Sequence, residues 1–271
     1  MNPGATYAGN DPEEISMPLP VTRSGNPSLN ERVFGSQPRV GFGAERMTLQ
    51  GSINKAFLLL VVLLAGAFWP WSQYLTTGDA SVVQTSLLVG GLGGFVLALI
   101  ISFKADLAPY LAVPYAALEG LALGAISALF ERRYPGIAIQ AVGVTFAVFA
   151  VMLAAYKLNI IRATQQFRAI VVGATLGVAV LYLVSMLLSL FHVDGVSMML
   201  NSSSPLGIGI SVIIAGIAAF NLILDFDFIE AGASQGAPKY MEWYGAFGLM
   251  VTLVWLYMEI LRLLAKTRRN D

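Results

Sequence analysis

The sequence predicts an all-α integral membrane protein with seven transmembrane helices. Of its 271 residues, 56% are hydrophobic and only 12% are charged, which is more apolar material than the core of a soluble domain needs. Crossing about 30 Å of hydrocarbon takes a helix of about 20 mainly apolar residues. Seven stretches of the chain are long enough, and the links between them are too short to fold into soluble domains.

The predicted helices follow one another along most of the chain. Each ends at a short link rich in glycine, proline or charged residues, which is typical of turns. Together they form one transmembrane domain over residues 51–266, followed by a short C-terminal tail over 267–271. The spans are expected at about 53–75, 82–103, 109–130, 137–156, 167–190, 206–224 and 241–264.

The first 50 residues differ in kind from the rest. Glycine and proline recur there among polar and charged residues, with no apolar period. Such a composition cannot bury enough apolar surface to fold, which predicts a disordered tail over residues 1–50. The pattern of a secretory signal peptide is not found in it, so we expect the first helix itself to direct insertion.

Lysine and arginine are distributed unevenly between the two sides of the predicted bundle. With the N-terminus in the cytoplasm, most basic residues that flank the spans lie on the inner side, as the positive-inside rule requires. The end of the seventh span breaks this rule, because it would carry four basic residues outside. Either an odd number of spans overrides the bias, or the last segment does not fully cross. We prefer seven spans; the four residues are Arg262, Lys266, Arg268 and Arg269.

Glu119 lies about halfway along the third predicted span. A charged acid at that depth costs at least about 2.5 kcal/mol, so it should face the bundle interior, be protonated or meet a polar partner. One interpretation is a neutral, hydrogen-bonded packing residue. The other is a site that lines a path for water or ions.

The segment that ends the sixth span carries three acids. On a helix, residues two apart point about 200° from each other, whereas residues three or four apart share a face. Asn221 and Asp225 therefore share one stripe, and Asp227 and Glu230 share another. We favour the Asn221–Asp225 stripe as the one that faces the bundle axis, because it continues deeper into the membrane.

Glu242, at the start of the seventh span, is expected at the same depth as Asp225 and Asp227. Glu259 lies 17 residues further on, or about 25 Å along the helix, which excludes it from this cluster. Carboxylates that share a site cannot all ionise cheaply. Protonated, two of them could share a hydrogen bond that closes a path. Deprotonated, Asp225 and Asp227 would offer oxygen ligands suited to Ca²⁺.

An enzyme is not expected. The chain has no cysteine, which removes thiol nucleophiles and disulfides, and its only histidine, His192, cannot build a zinc site that needs two or three. No Gly-X-Ser-X-Gly motif and no pair of mid-membrane aspartates on separate spans is present. The net charge of zero does not favour a nucleic acid partner. No resident cofactor is predicted.

Two motifs resemble the Bax inhibitor family, specifically its bacterial branch. One is the run Tyr115-Ala116-Ala117-Leu118-Glu119-Gly120 with Gly124 and Ser127, and the other is Leu224-Asp225-Phe226-Asp227-Phe228-Ile229. The resemblance covers roughly residues 47–266. It implies six helices around a central seventh, and an integral protein of the bacterial plasma membrane.

The resemblance also implies a pH-sensitive calcium leak gated by two aspartates, on the sixth and seventh helices. Asp225 matches the first of them. The motif around the second is approached only by Tyr257-Met258-Glu259, at the far end of the seventh helix, so Glu242 or Asp227 would have to supply the second acid.

Two alternatives remain open. The resemblance also allows a non-conducting regulator or scaffold, for example a modulator of a membrane protease or of a stress response. A proton-coupled transporter is the third hypothesis, since Glu119 could relay protons. The partners expected from these hypotheses are the lipid bilayer, Ca²⁺ or protons, and a membrane protease.

Overall fold

The computed structural model describes residues 46–192 and 195–269 of the chain. Within them, seven helices are long and apolar enough to cross a membrane, and the predicted all-α fold is confirmed. Residues 1–45 of the predicted tail, and residues 270–271, lie outside the described part. A short helix, Gly195–Asn201, precedes the sixth long one. The seven are α1 (Leu49–Thr77), α2 (Ala80–Phe103), α3 (Ala108–Arg133), α4 (Ile137–Lys157), α5 (Gln165–Leu190), α6 (Pro205–Ser234) and α7 (Met241–Arg268).

Side-chain caps mark where several helices begin. The hydroxyls of Thr48 and Thr164 accept hydrogen bonds from backbone N–H groups in the first turns of α1 and α5. Ser204 does the same for α6, and Pro205 follows it at the first helical position. These residues satisfy N–H groups that a helix start leaves unpaired, so the boundaries are encoded locally.

Glycine lets α1 and α3 pack with their backbones in close contact. A Cβ atom on Gly120 would lie 2.3 Å from the carbonyl oxygen of Leu63, and one on Gly124 would lie 2.1 Å from that of Ala67. Neither position has room for a methyl group. Small residues at this spacing are a common means of close helix packing in membranes.

α7 is the central helix of the bundle. Its most apolar stretch is 56% buried, the largest share among the seven spans, and it packs against α1, α3, α4 and α6. Aromatic contacts fix it on two sides: the rings of Tyr115 and Phe247 meet edge to face at 5.0 Å, and those of Phe228 and Tyr244 lie 6.2 Å apart. This arrangement agrees with the expectation of a central seventh helix.

The chain before α1 is attached to the loop between α6 and α7. The backbone N–H of Met47 donates to the carbonyl of Ala237 at 2.7 Å, and Arg46 and Pro238 form an isolated β-bridge. We call this end of the bundle, which also carries the α4–α5 loop, the inner end, after its predicted orientation.

α6 continues beyond the end that its apolar run predicts. The pattern indicated an end at residue 224, whereas the helix extends to Ser234. Asp225, Asp227 and Glu230 therefore lie within the helix and not at its exit. Because a helix of 30 residues is about 45 Å long and the hydrocarbon about 30 Å thick, the last turns of α6 reach the headgroup region.

Candidate functional site

Asp225 is a carboxylate enclosed within the helix bundle. Its side chain is 0% exposed, and among the described residues neither of its oxygens has a hydrogen bond of standard geometry. The hydroxyl of Thr252, on α7, lies near enough to interact with the carboxylate. Charging an unpaired acid in such surroundings costs several kcal/mol, so the enclosed packing suits the neutral form.

Asn221 lies one turn before Asp225 on the same buried face of α6. Its amide nitrogen donates to the hydroxyl of Thr175 on α5 at 2.8 Å and to the backbone carbonyl of Ile217 at 2.9 Å. Its carbonyl oxygen is buried and, within the described part of the chain, has no partner. The Asn221–Asp225 stripe thus places incompletely bonded polar atoms where α5, α6 and α7 meet.

Glu242 is buried at the inner end, where it joins the starts of α1 and α7. One carboxylate oxygen accepts hydrogen bonds from the backbone N–H and the hydroxyl of Thr48, each at 2.8 Å. The other oxygen pairs with the ammonium group of Lys55, and Lys239 lies 3.5 Å from the carboxylate. We call Glu242, Thr48 and Lys55 the inner clamp. Its carboxylate is fully engaged by these groups.

The prediction that Glu242 lies level with Asp225 is wrong. Asp225 is nine residues from the end of α6, and Thr252 is the residue of α7 that faces it. Glu242 is ten residues before Thr252, which is about 15 Å along α7 at 1.5 Å per residue. The two acids lie at different depths because α6 continues for another ten residues after position 224.

Asp227 and Glu230 face away from the Asn221–Asp225 stripe. Asp227 forms an ion pair with Arg168 of α5, and the hydroxyl of Tyr156 on α4 donates to Glu230 at 2.5 Å. These contacts connect α4, α5 and α6 at the inner end. Asp225 and Asp227 therefore point to different neighbours, and among the described residues no group of three acidic, histidine or cysteine side chains could hold a metal ion.

A sequence model of the family described as Bax inhibitor 1 like matches residues 16–269, which include all seven helices. The chain belongs to the Bax inhibitor 1-like family. This confirms the family resemblance and extends it beyond residues 47–266; the bacterial branch stays a prediction. A search of curated proteins and a search of solved structures each found no match. The family is one of membrane proteins and is not a known enzyme family.

In this Bax inhibitor-like protein, Glu119 lies apart from the acids of α6. It is half-buried on α3 beside α2, where a Cβ atom on Gly94 would lie 2.9 Å from one of its carboxylate oxygens. The neighbouring part of α2 contains a π-helical turn, Leu87–Leu92. Within residues 46–192 and 195–269, no hydrogen bond connects Glu119 to Asp225, Asp227, Glu242 or Asn221.

Glu259 forms hydrogen bonds toward the end of α7 that is opposite to Glu242. Its position agrees with the prediction that it lies too far along the helix to join the acids of the inner end. It accepts hydrogen bonds from the hydroxyl of Tyr182 at 2.6 Å and from the guanidinium of Arg262 at 3.1 Å. Seven residues after Glu259, the buried ammonium of Lys266 donates to the carbonyls of Leu200 and Gly207 and, at 2.6 Å, to the hydroxyl of Ser211.

Sequence reasoning missed the partners of the acids. Arg168, Lys55 and Tyr156 are single polar residues near helix ends, and nothing in their local sequence assigns them to a particular carboxylate. The one available signal is compositional: each is a donor within a turn or two of the inner end of its span. Thr252 gave no signal, because a threonine within an apolar helix is commonplace.

Proposed function

We propose that this Bax inhibitor-like protein is a pH-sensitive calcium leak in the bacterial plasma membrane, and that Asp225 is the group whose protonation controls it. One observation carries the proposal: an acid is completely buried between membrane helices and has no ion-pair partner among the described residues. An intramembrane acid is expensive to keep and is a functional candidate for that reason.

The proposed gate uses one acid, not two. Thr252 is the residue of α7 that faces Asp225, and its hydroxyl can bond to either form of the acid. Neutral Asp225 is compatible with tight packing of α6 against α7. Once charged, it would draw in water or a cation, or force the helices apart, so we expect the leak to increase as pH rises.

Calcium suits this arrangement because it prefers carboxylate, hydroxyl and carbonyl oxygens. The carboxylate of Asp225 and the hydroxyl of Thr252 would contact a passing ion without forming a complete binding shell. A weak site of this kind favours passage over retention. At the inner end, the Asp227–Arg168 pair would hold α6 to α5, and the inner clamp would hold α7 to α1. Glu119 is a secondary candidate for a proton or ion path beside α2.

The test is calcium flux into proteoliposomes that hold a calcium-sensitive dye, measured from pH 6 to pH 8. We expect the flux of the unaltered chain to increase across this range. Asp225→Asn keeps the size of the side chain but cannot ionise, so its flux should stay low and lose its pH dependence. Asp106→Asn, an exposed acid in the α2–α3 link, is the matched control and should behave like the unaltered chain.

Flux that does not depend on pH, or flux of Asp225→Asn that tracks the unaltered chain, would refute the gate. If no condition gives flux, the non-conducting regulator becomes the better hypothesis, with co-purification of a membrane protease as its test. The proposed orientation, with a cytoplasmic N-terminus, is checked separately by protease protection of the tail in sealed vesicles.

A further inference from the structure

A large apolar groove runs along the surface of the bundle between α1 and α4. Its volume is 980 Å³, near the upper end of the range of about 300–1,000 Å³ typical of small-molecule sites. The lining on α1 extends from Leu49 to Leu64, or about 22 Å at 1.5 Å per residue. Several of these side chains are open to the lipid side, among them Phe57, which is 67% exposed.

The floor of the groove is formed by α6 and α7. Phe226 and Ile229 contribute from α6, and Leu249, Met250 and Leu253 contribute from α7. The groove therefore borders the two helices that enclose Asp225 and is continuous with the hydrocarbon. An apolar chain that enters from the bilayer could reach it without crossing water.

The mouth of the groove, at the inner end, is charged. Asp227 and Glu230 line it, but Arg168 and Tyr156 already engage their carboxylates. The two cationic residues of the lining, Lys157 and Arg162, have no such partners among the described residues. Lys157 and Arg162 are exposed, and their side chains have no hydrogen bond or ion pair with any residue in 46–192 or 195–269.

We propose that this groove binds an anionic phospholipid of the inner leaflet. One acyl chain lies between α1 and α4, and the phosphate lies against Lys157 and Arg162. Basic sites between membrane helices bind acidic headgroups, and each cation near the surface strengthens binding by about fivefold. Arg168 balances the charge of Asp227, and Lys157 and Arg162 together exceed the remaining charge of Glu230 by one, which leaves a net attraction for an anion. Binding can be measured without ion flux, so this proposal stands apart from the calcium leak.

The test is native mass spectrometry of the full chain in a neutral detergent. Phosphatidylglycerol and phosphatidylcholine with identical acyl chains are titrated separately, and oleate is used as a single-chain anion. We expect one phosphatidylglycerol to bind in preference to phosphatidylcholine. Replacing Lys157 and Arg162 together by glutamine should weaken binding of phosphatidylglycerol about 25-fold. Lys104→Gln, an exposed lysine elsewhere at the inner end, should change it less than about twofold.

A second pair of variants tests the apolar part of the site. Ile53→Trp, at a position on the α1 lining that is 48% exposed, fills the groove near its mouth and should displace the lipid. Ile170→Trp, at a lipid-facing position outside the groove, should not displace it. Equal binding of the two phospholipids, or unchanged binding by the double glutamine variant, would overturn the proposal. So would oleate that competes as well as phosphatidylglycerol. If a variant failed to fold, the comparison of phospholipids on the unaltered chain would still decide.

Discussion

Replacing Glu242 by glutamine is expected to destabilise the protein markedly, although the two side chains have the same shape. Glu242 is 0% exposed and is the acceptor at the centre of the inner clamp. Glutamine keeps one carbonyl oxygen for the two hydrogen bonds from Thr48. It loses the charge that balances Lys55, and it turns an amide donor toward that ammonium group.

The size of the effect follows from the burial of the two partners. Exposed ion pairs contribute at most about 1 kcal/mol, whereas breaking a fully buried pair costs about 3–5 kcal/mol. The side chain of Lys55 is 17% exposed and lies 5.4 Å from the ring of Trp243, which partly compensates it. Lys239 is 44% exposed and contributes little. We therefore expect a loss of about 2–3 kcal/mol, between these limits.

The assay is the free energy of unfolding from SDS titration in mixed micelles, followed by tryptophan fluorescence. A double-mutant cycle with Lys55→Gln isolates the pair, because the double variant brings two neutral amides together. Its loss should be smaller than the sum of the two single losses by about 1 kcal/mol or more. Additive losses, or a Glu242→Gln variant as stable as the exposed control Asp106→Asn, would refute the argument.

Two further predictions concern packing and the other end of α7. Gly124→Ala should lower the free energy of unfolding by about 2 kcal/mol or more, since the new methyl group meets the backbone oxygen of Ala67 at 2.1 Å. Gly143→Ala, where nothing lies within 4 Å, should be neutral or stabilising by up to about 1 kcal/mol. Lys266→Met should cost about 1–3 kcal/mol, because it leaves buried oxygens without a donor. Lys104→Met, at an exposed site, should change stability by less than about 0.5 kcal/mol in the same SDS titration.

The fold could be predicted because the length of an apolar run is a local property of the chain. Several helix starts also follow local signals, such as the caps at Thr48, Thr164 and Ser204. The end of α6 could not be predicted in this way. Its acids resemble the polar residues of a helix end, yet they lie within the helix, where a distant side chain, Arg168, pairs with Asp227.

The candidate site was predictable in its helical phase but not in its contacts. A period of 3.6 residues is enough to separate the Asn221–Asp225 stripe from the face that carries Asp227. Which residue faces a carboxylate depends instead on the relative depth of two helices. Because α6 ends ten residues later than its apolar run predicts, Asp225 faces Thr252 and not Glu242. The inner clamp connects positions 194 residues apart, a separation that no local pattern reports.

If α7 crosses the membrane fully, its last turns carry four basic residues on the outer side, against the positive-inside rule. The conflict is resolved if cations with protein partners are distinguished from cations without them. At that end Arg262 binds Glu259, Lys266 donates to three oxygens, and Arg268 donates to the carbonyl of Pro135. Protein acceptors replace part of the hydration of a paired cation, so its charge should influence orientation less than the charge of a solvated cation. At the inner end, exposed lysine and arginine side chains remain available to water and lipid headgroups. With the proposed cytoplasmic N-terminus, the positive-inside bias is therefore expected to follow unpartnered cations such as Lys157 and Arg162 at the inner end.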